Sequence, residues 1–74
     1  MPVLIKPYGM LKEYIGGKPE ISFDAGRSVR EIIQEMGIPP EVVALVTVND
    51  NHVDKDYLVQ DGDVIRLLAV IGGG

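Results

Sequence analysis

Hydrophobic and polar residues alternate at two different periods along this chain, and glycine and proline separate the segments. Val3 and Ile5 share one face of a first extended stretch, Val3 to Tyr8, with Leu4 and Lys6 on the other. Pro7 cannot donate to a ladder, which puts it near that strand's end or on its free side. Between Pro19 and Ala25, Ile21 and Phe23 alternate with Glu20, Ser22 and Asp24, the period of a half-buried strand. The connection Gly9 to Lys18 makes these two a hairpin.

The period then changes. Val29, Ile32, Ile33 and Met36 fall at i, i+3, i+4 and i+7, one apolar stripe on a helix. Ser28 and Glu31 have the spacing of a capping box. Gly37 followed by Ile38 suits a left-handed stop with a hydrophobic contact behind it. Pro39-Pro40 prevents continuation. The valine-rich run Glu41 to Asn49 reads as a third strand, Asp50-Asn51 as a turn and His52-Val53 as a short fourth strand. Lys55 to Leu58 reads as a helical turn, Gln60 to Asp63 as a tight turn and Val64 to Ile71 as the last strand. With Arg66 facing water, Ile65, Leu67 and Ala69 point inward and Val64, Leu68 and Val70 outward. The expected architecture is α+β: a mixed sheet of four or five strands with one main helix on one face.

Composition narrows the chemistry. The chain has 74 residues, which is one domain. It has no cysteine and one histidine. That removes thiol nucleophiles, redox dithiols, thiolate metal sites and histidine clusters. A net charge of −4 opposes binding to a phosphate backbone, so no nucleic-acid partner is expected. No apolar run approaches the roughly 20 residues of a membrane span, and the N-terminus does not resemble a signal peptide. The expectation is a soluble, cytoplasmic domain, monomeric when free, with no metal or cofactor of its own.

Four features bear on function. Asp50, Asp54, Asp56, Asp61 and Asp63 crowd into fourteen residues, against Lys55 alone. The spacing misses the glycine and glutamate of a calcium loop. The readings left are solvated turns or an acidic docking surface. No carboxylate sits inside an apolar run, so none is expected to be buried. His52, Ser22 and Thr47 read as surface positions and Ser28 as a cap. Leu4, Leu45 and Leu68, with Val70, would lie on the uncovered sheet face, as a protein-binding patch or as ordinary sheet surface. The sequence finishes on Gly72-Gly73-Gly74 after an apolar strand. Glycines bury nothing and lose the most entropy on ordering, so they add little to a fold. Residues 71 to 74 could extend roughly 13 Å at about 3.3 Å each, through a channel too narrow for side chains, with a free carboxylate at the tip. The expected division is a folded domain over 1–71 and a flexible tail over 72–74.

These residues resemble the ThiS/MoaD family of ubiquitin-like sulfur carriers. The similarity rests on Ala25-Gly26 before the Ser28-Val29 helix start, Val48-Asn49 before a turn, Leu58 to Val64 containing Asp61-Gly62-Asp63, and Ala69 to Gly74. It covers the whole chain and implies the β-grasp fold. It further implies a non-enzyme whose Gly74 carboxylate is adenylated with ATP by an E1-like enzyme. A sulfur donor then converts it to a thiocarboxylate, which supplies a synthase making molybdopterin or the thiamine thiazole. Gly72 and Gly73 would thread the partner's active site, Gly72 matching a position where the family has a small residue. The leucine patch and acidic turns would hold the partner. The ten-residue connection Gly9 to Lys18 looks more like the molybdopterin branch. Competing readings are a ubiquitin-like modifier or docking module and, last, an RNA-binding β-grasp domain.

Overall fold

Every segment with a single period becomes one element, and the segments between carry the surprises. In the computed structural model, which describes residues 2–69, the strands are β1 (Val3–Pro7), β2 (Ile21–Phe23), β3 (Val43–Val48), β4 (Asn51–Val53) and β5 (Val64–Ala69). One α-helix, α1 (Val29–Glu35), lies between β2 and β3. The sheet order is β2-β1-β5-β3-β4. Among the described residues only β1 and β5 run parallel; the other three pairings are antiparallel. The last strand therefore lies at the centre of the sheet, flanked by the first and third.

The helix ends are built as the sequence predicts. The Ser28 side chain accepts from the Glu31 backbone N–H at 3.1 Å, and Glu31 accepts from the Ser28 N–H in return. At the other end Gly37 is left-handed at φ 83°. Its N–H donates to the Gln34 carbonyl while that of Ile38 donates to the Ile33 carbonyl, the double closure of a Schellman stop. Val29, Ile32, Ile33 and Met36 enter the core with Val3, Ile5, Val43, Val46, Val48, Ile65 and Leu67. All lie between the helix and one face of the sheet.

Several expectations change. The connection after β1 is a 3-10 turn over Gly9–Ile15 whose Leu11 is fully buried. Met10, Leu11, Tyr14 and Ile15 have helical spacing, a signal the glycines on either side obscure. Residues 41–42 belong to a second 3-10 turn, Pro40–Val42, because Pro40 fixes a helical φ at its start. Of the helical turn expected over Lys55 to Leu58, the structure keeps one turn at Lys55 and Asp56, closed by the Tyr57 N–H donating to the Asp54 carbonyl at 3.3 Å, after which Leu58 bridges to Ser28. The backbone N–H groups of Val29 and Arg30 donate to the carbonyls of Tyr57 and Lys55 at 3.0 and 2.8 Å. The carbonyls of this segment thereby satisfy free donors at the start of α1.

Asp63 is the main correction. It is buried, with 6 % exposure, although it belongs to a turn that reads as solvated. Its carboxylate accepts from the Tyr57 hydroxyl at 2.8 Å, the Asn49 amide at 3.1 Å and the Gln60 N–H at 2.9 Å. Its own carbonyl accepts from the Leu4 N–H at 3.0 Å. A buried carboxylate is tolerable because its acceptor sites are filled.

Candidate functional site

Among the described residues, the second face of the sheet carries no helix. Its residues come from alternate positions on every strand: Leu4 and Lys6 on β1, Ser22 on β2, Val64, Arg66 and Leu68 on β5, Leu45 and Thr47 on β3, and His52 on β4. None is fully buried. Position 66 faces water as expected, flanked on β5 by the fully buried Ile65 and Leu67, and Ala69 packs against the core.

The register divides the predicted leucine patch. Leu45 and Leu68 are direct cross-strand partners, made so by an irregularity between Val43 and Leu45 that leaves Ala44 outside the pairing. Leu4 is opposite Val64, at the other end of β5. Four residues separate Val64 from Leu68, roughly 13 Å along a strand. Leu4 is thus on the same face but not in the same cluster. Tyr8, one residue beyond the Pro7–Leu67 pair, comes alongside Leu68 instead, and its N–H donates to the Leu67 carbonyl at 3.0 Å. Sequence reading placed Tyr8 at the end of the first strand but left it out of the patch, although its alternation with Leu4 and Lys6 puts it on that face. It is 41 % exposed, and Met10 and Tyr14 are exposed apolar residues in the turn that follows. Val70, Gly72, Gly73 and Gly74 lie outside the described residues, as does the boundary between domain and tail.

Between the two apolar clusters runs a polar band. Lys6 pairs with Arg66, Arg66 with Thr47, and Thr47 with His52, one row across four strands. The Arg66 guanidinium donates to the Tyr8 hydroxyl at 3.3 Å and to Asp50 at 2.9 Å. Asp50 reaches it from a two-residue hairpin turn in which Asn49 and Asp50 are both left-handed, at φ 50° and 72°. Asparagine and aspartate tolerate that conformation best among residues with a side chain.

The acidic stretch does not form a single surface. Asp63 is buried, Asp50 faces Arg66, Asp56 pairs with Arg30, and Asp54 accepts from the Asp56 N–H. Among the described residues no three histidine, cysteine or acidic side chains converge to hold a metal. No helix of the described residues is long and apolar enough to cross a membrane. On the helix side, the hydrogen bond and charge of Glu35 raise the Arg27 guanidinium above its ordinary range, and Arg27 lowers the Glu35 carboxyl in turn. The hydrogen bond to Asp63 pushes the Tyr57 hydroxyl upward.

A five-stranded mixed sheet with parallel first and last strands, one crossing helix and one bare face defines a ubiquitin-like β-grasp protein. The family follows from the sequence over nearly its whole length: residues 5–74 match the ThiS family model, and the chain belongs to that family. Proteins of this family are small sulfur carriers rather than catalysts. Among solved structures, the chain is 28% identical to a chain of the Amycolatopsis orientalis BexX/CysO complex, with a TM-score of 0.71, covering 97% of this chain and 99% of that one. It is 29% identical to a chain of the complex of subunits 1 and 2 of the molybdopterin-converting factor from Helicobacter pylori. That match has a TM-score of 0.65 and covers both chains completely. Urm1 from Trypanosoma brucei, at 15% identity and a TM-score of 0.73, shares the fold over 99% of this chain and 95% of its own.

Proposed function

We propose that this chain carries sulfur on the carboxylate of Gly74 and docks on its partners through the bare sheet face. The observation that carries the reading is the ThiS family match, which runs through the glycines to Gly74. The chemistry is coherent. A carboxylate is a poor electrophile, so an E1-like enzyme first joins it to the α-phosphorus of ATP and releases pyrophosphate. A donor at the oxidation level of sulfide then attacks the acyl carbon, AMP leaves, and a thiocarboxylate forms. Gly72 and Gly73, lacking Cβ atoms, suit passage through a narrow active site. A synthase's substrate takes the sulfur, and water supplies the oxygen that restores the carboxylate. Two of the similar structures are complexes, BexX with CysO and subunit 1 with subunit 2 of the molybdopterin-converting factor, which supports a partner synthase. The second of these, together with the long connection after β1, favours molybdopterin assembly as the destination over the thiamine thiazole.

The test is intact mass after incubation with ATP, sulfide and the adenylating enzyme of the same genome. The expected result is the mass gain of one oxygen replaced by one sulfur, lost on deleting Gly74 while the melting temperature holds. No gain with a competent enzyme overturns the reading. Covalent conjugates to lysine in its place would favour a protein modifier.

A further inference from the structure

The bare face has the opposite electrostatic character to the chain that carries it. The chain has eleven acidic residues against seven basic ones. Yet the outward strand positions are Leu4, Lys6, Ser22, Leu45, Thr47, His52, Val64, Arg66 and Leu68, with no acid among them. Lys6 and Arg66 are cross-strand neighbours at its middle, and Lys6 enters no ion pair among the described residues. Arg66 is held by one acid that comes from off the sheet, Asp50.

That ion pair is unequal. The Arg66 side chain is 33 % exposed and lies along the sheet, steadied by the Tyr8 hydroxyl. The Asp50 side chain is 87 % exposed at the tip of a hairpin. A carboxylate so fully solvated gives up little on leaving, because exposed ion pairs contribute little. The guanidinium would lose far more if covered without an acceptor. Any partner that buries the Leu45–Leu68–Tyr8 cluster also covers Arg66, and so must bring an acceptor to it.

We infer that the Lys6–Arg66 band recognises a carboxylate on a partner protein's surface, and that Asp50 is the placeholder it displaces. The occupant is an acidic side chain beside an apolar shoulder, the shoulder resting on Leu45, Leu68 and Tyr8. The docking face of this acidic chain is therefore its basic one, and its partners' complementary surfaces are acidic rather than basic. The inference rests on the carrier reading for the choice of partners, the adenylating enzyme and the synthase.

The test is calorimetric titration of the full chain against both purified proteins of the same genome, at low and moderate salt. Arg66→Glu and Lys6→Glu are each expected to weaken binding about tenfold or more, since they oppose like charges in the interface. Asp50→Asn should tighten it by about two- to fivefold, the worth of an exposed ion pair. Asparagine also suits the left-handed backbone at that position, so the turn survives. Lys18→Glu, an equal charge change in the exposed loop before β2, should leave affinity within about twofold. Thermal melts establish that each variant is folded, and should Arg66→Glu unfold, Lys6→Glu and Asp50→Asn decide. Charge reversals without effect, a weaker Asp50→Asn complex, or no binding by the parent chain would each overturn the inference. Mass analysis on the same samples separates the two readings. Charge-sensitive binding without a thiocarboxylate removes the carrier reading alone. A thiocarboxylate with charge-insensitive binding removes this inference alone.

Discussion

Strand β5 presents the same backbone to two environments, and its two faces follow different rules. Ile65 and Leu67 are completely buried against α1 and its neighbours. Val64, Arg66 and Leu68, one residue away in each case, are half-buried on a face with no cover. The closed face is defined by volume: every side chain on it has fixed neighbours. The open face is defined by pattern: two apolar clusters separated by a charged row. On the proposed reading, stability resides on the first and recognition on the second, and the alternation of a single strand is enough to keep them apart.

The sharpest way to break that comparison is to cut into the closed face. Leu67→Ala should cost about 2–5 kcal/mol, measured by urea denaturation, because a fully buried leucine leaves a cavity. In a domain this small such a loss could consume most of the stability. Asp63→Ala should come next, at about 1–3 kcal/mol, since it strands the Tyr57 hydroxyl, the Asn49 amide and the Gln60 N–H. Ser28→Ala should cost about 1 kcal/mol through the lost cap. Leu68→Asp should then separate the faces. It should change unfolding free energy by no more than about 1 kcal/mol while sharply weakening partner binding. An unfolded Leu68→Asp chain would show that the open face carries stability as well.

The smallest effect concerns pH. Asp63 holds the Tyr57 hydroxyl above its ordinary value of 10.0, so the folded state prefers the protonated phenol. That preference is present in full below pH 10 and fades as the pH rises through the higher folded value. Thermal melts should therefore show a decline above pH 10 that Tyr57→Phe removes. Glu35 behaves in the opposite sense. Its carboxyl is lowered by Arg27, so its contribution holds above the ordinary value of 4.5 and fades as the pH falls through the folded one. As both partners are exposed, the change should be slight and weakened by salt.

The comparison of faces also explains which residues a sequence can reveal. The capped helix, its Schellman stop, the alternation of β1 and β2 and the inward set on β5 are all local patterns, each expressed within about ten residues of chain. They were readable, and with them the fold class and family. Asp63 was not. Its burial depends on Asn49 and Tyr57, brought to it by the β3–β4 hairpin and by the segment that closes the start of α1. A tight turn with two aspartates gives no local sign of that. Leu11 was hidden in the same way, its cover supplied by a sheet that its own loop does not specify.

The candidate site divides along the same line. That Leu4, Leu45 and Leu68 face away from the helix follows from period and strand direction, which the sequence contains. Which of them meet does not follow. The parallel pairing of β1 with β5 puts Leu4 opposite Val64, and the irregularity near Ala44 brings Leu45 to Leu68. Tyr8 joins that cluster, and the acid of a distant turn reaches Arg66. By itself the sequence determined the main helix with its caps, the strands, the family and the alternation of β1, β2 and β5, because those depend on neighbours in the chain. Only the tertiary structure decided register, the burial of Asp63 and the charged band, because each depends on residues that meet only once the sheet has closed.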